Sequence, residues 1–206
     1  MAEWTEPDVV AVGDPASLGR AATVLLAGGS VVLPTDTVYG LAALPSVAGA
    51  TDQLVILKAR AAAQPFAVLV ADVAQAHDLI EPPADHVAAW MASLWPGPLT
   101  LVLRRSAEAH TLVLGGDLHT IGVRCPDHAF VRELAAMVGP IATTSANRHG
   151  HPTPTSARAA AAALTGPVGL VVDGGVAGTV ASTVVDATSQ TWRILRPGAI
   201  GQERLS

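Results

Sequence analysis

Apolar and polar positions along the chain alternate between helical and strand-like spacing. Asp14-Pro15 reads as a helix start, with a capping aspartate and proline at the first helical position. Leu18, Ala22, Leu25 and Leu26 continue that helix to a stop at Gly28-Gly29. Residues 30–33 form a short apolar run expected to be a buried strand, and residues 34–40 a loop. Val47, Ala50, Leu54 and Leu57 mark one face of a helix over residues 47–60. A strand is expected at 66–70 and helices at 72–79 and 84–94, the second broken by Trp95-Pro96-Gly97-Pro98. Strands follow at 99–104 and 121–124. Asp127 is expected to cap a helix over 128–138 that Gly139-Pro140 ends. A strand at 141–144 leads into Ser145-Ala146-Asn147, and a Gly/Pro-bearing loop at 148–155 into a helix at 156–164. Three strands near 170–172, 183–186 and 192–195 end the chain. The pattern predicts an α/β fold, a twisted mixed sheet with helices packed on it, in one domain over residues 1–206.

Composition narrows the chemistry. Half of the 206 residues are apolar, 14% are charged and 3% are aromatic, so the core must be Ala, Val and Leu. A chain of this length buries about 70% of its unfolded surface. The net charge of −5 argues against a broad nucleic-acid surface, which is normally basic, so any RNA contact must be local. A lone cysteine, Cys125, excludes an intramolecular disulfide and a multi-cysteine metal site. The acidic, proline-interrupted start does not read as a signal peptide, and no apolar run approaches the about 18 residues of a span; the expectation is a soluble, cytoplasmic protein with no membrane partner.

No phosphate loop, dinucleotide fingerprint or H-E-x-x-H motif is present. His149 and His151 fit loop polarity or, less well, a metal site. Gly174 to Gly178 fits a turn between strands or a phosphate wrap. Cys125 fits a core thiol or a low-pKa thiol beside Arg124. The only lysine, Lys58, stands among eleven arginines and reads either as a point charge for phosphate or as a surface accident. At a helix end it is expected to project into a site and to contribute little to the core. Polar residues gather at strand ends and loops: Thr35, Asp36 and Thr37; Lys58 and Arg60; Arg124; Thr143, Thr144, Ser145 and Asn147; Ser182 and Thr183; Arg196. Ligands of α/β sheets bind at such places. The cations suit a polyphosphate and the hydroxyls a small polar substrate, while no nucleophile has a paired base.

Seven segments stand in order: 34–41 (PTDTVYGL), 58–60 (KAR), 95–100 (WPGPLT), 122–126 (GVRCP), 144–147 (TSAN), 182–186 (STVVD) and 195–198 (LRPG). On these, over about residues 30–199, the chain resembles the YrdC-like family of L-threonylcarbamoyladenylate synthases. The resemblance implies a single-domain nucleotidyltransferase that makes threonylcarbamoyl-AMP and pyrophosphate from L-threonine, bicarbonate or CO2, and ATP with Mg2+, for a downstream transferase acting on tRNA next to the anticodon. It places a catalytic, ATP-contacting tetrad on Lys58, Arg60, Ser145 and Asn147. Threonine-contacting positions fall on Thr35, Arg124, Ser182 and Thr143, and further ATP-contacting positions on Thr153 and Arg196. It implies no protein metal cage. Ala59, Ala61 and Gln64 depart from the family's glycine, proline and second lysine, and the expectation is the minimal single-domain form, without the additional C-terminal domain of the longer members. Two alternatives are a non-catalytic RNA-binding module of the same fold and a carbamoyl-adenylate enzyme of the hydrogenase-maturation type; the chain lacks the length and cysteines of the latter.

Overall fold

The structure, a computed structural model, describes residues 7–59 and 64–205. Arg60 and Ala61 lie outside the described residues. Ten strands form one sheet in the order β1-β8-β2-β3-β7-β4-β6-β5-β9-β10. They are β1 (Val9–Ala11), β2 (Val31–Leu33), β3 (Gly40–Ala43), β4 (Ala67–Leu69), β5 (Leu99–Arg104), β6 (Thr120–Arg124), β7 (Ile141–Ser145), β8 (Leu170–Asp173), β9 (Thr183–Asp186) and β10 (Arg193–Arg196). Six α-helices accompany them: α1 (Ser17–Leu26), α2 (Ala50–Lys58), α3 (Val73–His77), α4 (Asp85–Leu94), α5 (Ala129–Val138) and α6 (Ala157–Ala162). Four strand pairs are parallel, β1–β8, β2–β8, β4–β6 and β5–β9, and the other five antiparallel. The expected mixed α/β architecture holds.

Strand alternation decides what each face does. Leu99, Leu101 and Leu103 of β5 and Ile121 and Val123 of β6 point into one apolar layer. That layer is closed by Leu54 and Leu57 of α2, Val87, Trp90 and Met91 of α4, and Ala157, Ala160 and Ala161 of α6. The other face is covered only in part. There Val31, Leu33, Ala42, Leu69, Leu170 and Val172 lie under α1 and α5, which contribute Leu25, Phe130, Val131 and Leu134. Toward β6, β5 and β9 this face carries Thr100, Val102, Gly122 and Val184, which line an open cleft with no α-helical residue in its wall among the described residues. The bare half of one sheet face therefore positions the site.

Several local expectations shift. The first helix begins at Ser17, because Asp14 closes an earlier turn: its carboxylate accepts from Ala16 N at 2.8 Å and its carbonyl from Ser17 N at 2.9 Å. Asp127 does not cap α5; it pairs with Arg132 at 3.2 Å, and the capping position, His128, makes no side-chain cap bond. The helix expected from residue 47 starts at Ala50, after Gly49 in the left-handed region (φ 76°). The side chains of Asp72 and Ser156 cap α3 and α6, accepting from the amides of Gln75 and Ala159. Strands β1 and β3 come as additions. Ala59, where the family has glycine, ends α2 with φ 48°, a conformation that costs an alanine about 1 kcal/mol.

Candidate active site

The cleft has a volume of about 250 Å3. Its rim and floor are built by strand ends: Thr35 from the loop after β2, Thr143 and Ser145 from β7, Arg124 from β6, Ser182 before β9 and Arg196 at the end of β10. Small residues keep the floor low. A Cβ added at Gly40 would stand 2.9 Å from Thr143 Oγ1, so the hydroxyl-bearing wall there requires glycine.

Lys58 does not project into this space. It is 3% exposed, against the expectation of a side chain aimed at the ligand with little role in the core. Its ammonium donates to the carbonyls of Ser145 and Asn147 (2.9 Å for the latter) and to Asn147 Oδ1 at 3.1 Å. Ser145 Oγ also donates to Asn147 Oδ1, and Asn147 Nδ2 donates to the carbonyls of Arg148 (3.0 Å) and His151. Both donors and both acceptor positions of the Asn147 amide are thus used. The helix end and the β7 turn form one polar knot, with Ser145 on the cleft wall and Lys58 and Asn147 behind it. A lysine suits this place because oxygens of Ser145 and Asn147 converge on one point, which a planar guanidinium cannot match.

At the other end of the cleft, Arg124 is 6% exposed and donates to Gly97 O and Thr37 Oγ1, both at 3.0 Å, and to the Asp36 carboxylate. The Trp95-Pro96-Gly97-Pro98 break after α4 supplies the first acceptor, and an added Cβ at Gly97 would lie 2.4 Å from Leu94 O. Arg196 grips Ser182, with Nη2 donating to Ser182 O at 2.8 Å and to Ser182 Oγ at 3.0 Å. Thr100, not singled out as a site residue from sequence, shares a 2.9 Å hydroxyl–hydroxyl bond with Ser182. Arg196 is an exposed residue; partial desolvation of its guanidinium and the neighbouring Arg124 lower its proton affinity, and it stays charged as arginines do.

The remaining sequence candidates sort by their partners. Thr35 lines the cleft, but its hydroxyl is occupied within its own loop, donating to Val38 O at 2.7 Å and accepting from the amides of Thr37 and Val38. Thr143 Oγ1 makes one long bond, 3.4 Å to Leu41 O. Thr153 is not among the residues lining the cleft, and Arg60 is outside the described residues. Tyr39 is fully buried, donating to Gly175 O at 2.7 Å and accepting from Gly174 N at 3.1 Å. The glycine segment is thereby a turn pinned against the 34–40 loop. His149 and His151 are exposed, and among the described residues no cluster of three or more His, Cys, Asp or Glu could hold a metal ion.

Cys125 is a core thiol. It is 2% exposed, donates weakly to Ala71 O at 3.5 Å, and burial pushes its pKa up to about 11. At pH 8 the native protein should therefore react with iodoacetamide far more slowly than the urea-unfolded chain. Mass spectrometry of the two time courses checks this, and equal rates would mean an accessible thiolate.

A mixed sheet with one half-bare face thus carries hydroxyls and two arginines at its strand ends, groups whose chemistry suits small polar anions. Residues 23–198 match the Sua5–YciO–YrdC family model, described as telomere recombination, and the chain belongs to that family. It is 36% identical over 200 residues to the threonylcarbamoyl-AMP synthase of Bacillus subtilis, covering 96% of this chain and 58% of that protein. It is 37% identical over 188 residues to a putative threonylcarbamoyl-AMP synthase of Mycobacterium tuberculosis, covering 90% and 86%. The crystal structure of P. abyssi Sua5 complexed with L-threonine superposes with a TM-score of 0.88 at 34% identity, over 98% of this chain and 60% of that one. The chain thus spans somewhat less than two thirds of the Bacillus and P. abyssi proteins.

Proposed function

We propose that the protein forms L-threonylcarbamoyl-AMP and pyrophosphate from L-threonine, bicarbonate or CO2, and ATP. The observation that carries this reading is the convergence of Arg124, Arg196, Ser182, Thr143 and Ser145 on one cleft in a chain of this family. The relatives' names and the threonine in the P. abyssi structure support it.

No covalent intermediate is needed. The threonine amine adds to CO2 and loses a proton, giving a carbamate. A carbamate oxygen attacks the α-phosphorus of ATP, the bond from that phosphorus to the bridging oxygen breaks, and pyrophosphate leaves. Two anions must meet, so neutralisation and orientation are the main tasks. Arg124 takes the threonine carboxylate, Arg196 faces the triphosphate, and Ser145 on its Lys58–Asn147 backing orients the α-phosphate or carbamate by hydrogen bonds. The arginines of the cleft suit the phosphates; with hydroxyls and no carboxylate among its described lining residues, Mg2+ would be carried by the nucleotide and water and would offset phosphate charge. A recess that limits water should also prolong the life of the carbamate. The product would feed a transferase acting on tRNA. Among the described residues no helix is long and apolar enough to cross a membrane, which is consistent with a cytoplasmic setting.

Pyrophosphate release is expected only when threonine and bicarbonate are both added to ATP. A coupled pyrophosphate assay with each omitted in turn tests this. Equal release with threonine alone in CO2-depleted buffer would remove the carbamate step from the mechanism, and no release under any condition would remove the reading.

A further inference from the structure

The contact between Asp36 and Arg124 sits where charges are poorly screened, with side-chain exposures of 13% and 7%. Arg124 spends one N–H on Gly97, one on Thr37 and one on Asp36. A guanidinium has about five, so one on each terminal nitrogen is left over. Arg196 lines the same cleft as Arg124. Arg196 is held apart on Ser182 by three bonds of its own. Arg132 is paired with Asp127, and His128, whose Nδ1 is buried without a partner, is kept neutral by burial. Asp36 is thus the carboxylate that balances this end of the cleft.

We propose that Asp36 is a positioning residue that fixes the orientation of the Arg124 fork, so that its two remaining N–H groups meet the carboxylate of the amino-acid substrate. This rests on the reading of the cleft as a threonine site. Asp36 acts through its charge as well as its oxygen. A merely structural role, fastening the 34–40 loop to β6, would show in stability and not in threonine affinity.

The test compares wild type, Asp36→Asn and Asp36→Ala by threonine calorimetry, steady-state kinetics and thermal unfolding. Asp36→Ala should weaken threonine binding and raise threonine KM about tenfold, the loss of one charge-assisted contact. Its kcat at saturating threonine and its ATP KM should stay within about threefold of wild type. Asp36→Asn, which keeps a neutral acceptor, should fall between. Unchanged or tighter threonine binding by Asp36→Ala overturns the proposal, as does a lower kcat with unchanged threonine KM. Should the alanine variant not fold, unchanged affinity in Asp36→Asn overturns it equally. A wild type that binds threonine but releases no pyrophosphate sinks the proposed reaction alone, leaving threonine affinity to decide the role of Asp36. A wild type that binds no threonine sinks both.

Discussion

Lys58→Ala is expected to lower threonine-dependent pyrophosphate release about a hundredfold, the usual effect of removing one preorganised electrostatic group. The same change should cost about 2–4 kcal/mol of stability, because the Ser145 and Asn147 carbonyls and the Asn147 amide oxygen lose a buried donor. Activity and stability fall together here because the ammonium is both the charge behind the site and the knot that shapes its wall. Lys58→Arg should not restore activity, since a planar fork cannot enter a pocket closed on one point. Steady-state assay and denaturant unfolding of both variants check the pair of effects. An alanine variant of wild-type stability and activity would mean that the β7 turn holds its shape without Lys58.

The second large effect concerns the substrate. Valine has threonine's shape without its hydroxyl and should be rejected on the order of ten-thousandfold, because a site built to bond a hydroxyl leaves buried polar atoms unpaired when it is missing. Serine keeps the hydroxyl and loses one methyl, a difference of about 1–3 kcal/mol, so it should react below threonine and well above valine. Of the three hydroxyls assigned to this pocket from sequence, Thr35 is saturated within its loop and Ser182 is shared with Thr100 and Arg196. Thr143, with its single 3.4 Å bond, has the most capacity to spare. Thr143→Val should therefore shrink the threonine-to-valine ratio more than Thr35→Val. Adenylate formation at equal amino-acid concentrations measures the order. Valine matching serine would show that shape and not the hydroxyl is read.

Some of this was legible in the sequence and some could not be. Strand β5 is found with its bounds intact because Leu99, Leu101 and Leu103 alternate cleanly after a Pro/Gly break. Strand β3 is Gly-Leu-Ala-Ala, small residues with weak strand preference, and it exists because β2 and β7 flank it. The Asp127 cap was misplaced by one step because an aspartate before a helix serves equally well as an ion-pair partner for Arg132 one turn on. Polar groups at strand ends converge in a sheet of this kind, and Thr35, Arg124, Thr143, Ser145, Ser182 and Arg196 do line one cleft, whereas Lys58 and Asn147 lie behind its wall and Thr153 is not in it. The directions of the side chains were not legible. That Lys58 turns inward depends on where the β7 turn lands, and that Asp36 meets Arg124 depends on β6 ending beside the 34–40 loop. Neither follows from spacing along the chain.

The order of the strands has a consequence for how the protein is made. The cleft floor needs β5 beside β9, joining Leu99 to Thr183, and the far edge needs β1 beside β8, joining Val9 to Val171. Such distant pairings slow folding, because loop closure comes before the contacts that reward it. On the ribosome, β5 and β6 are already synthesised while β9 is still missing, so β5 presents an unpaired strand edge beside apolar neighbours. A nascent chain halted before residue 183 has neither Ser182–Arg196 nor the strand that closes the floor, and so lacks the full substrate site that could stabilise it. Substrate can therefore assist only the last stage of folding, after β9 and β10 have been made.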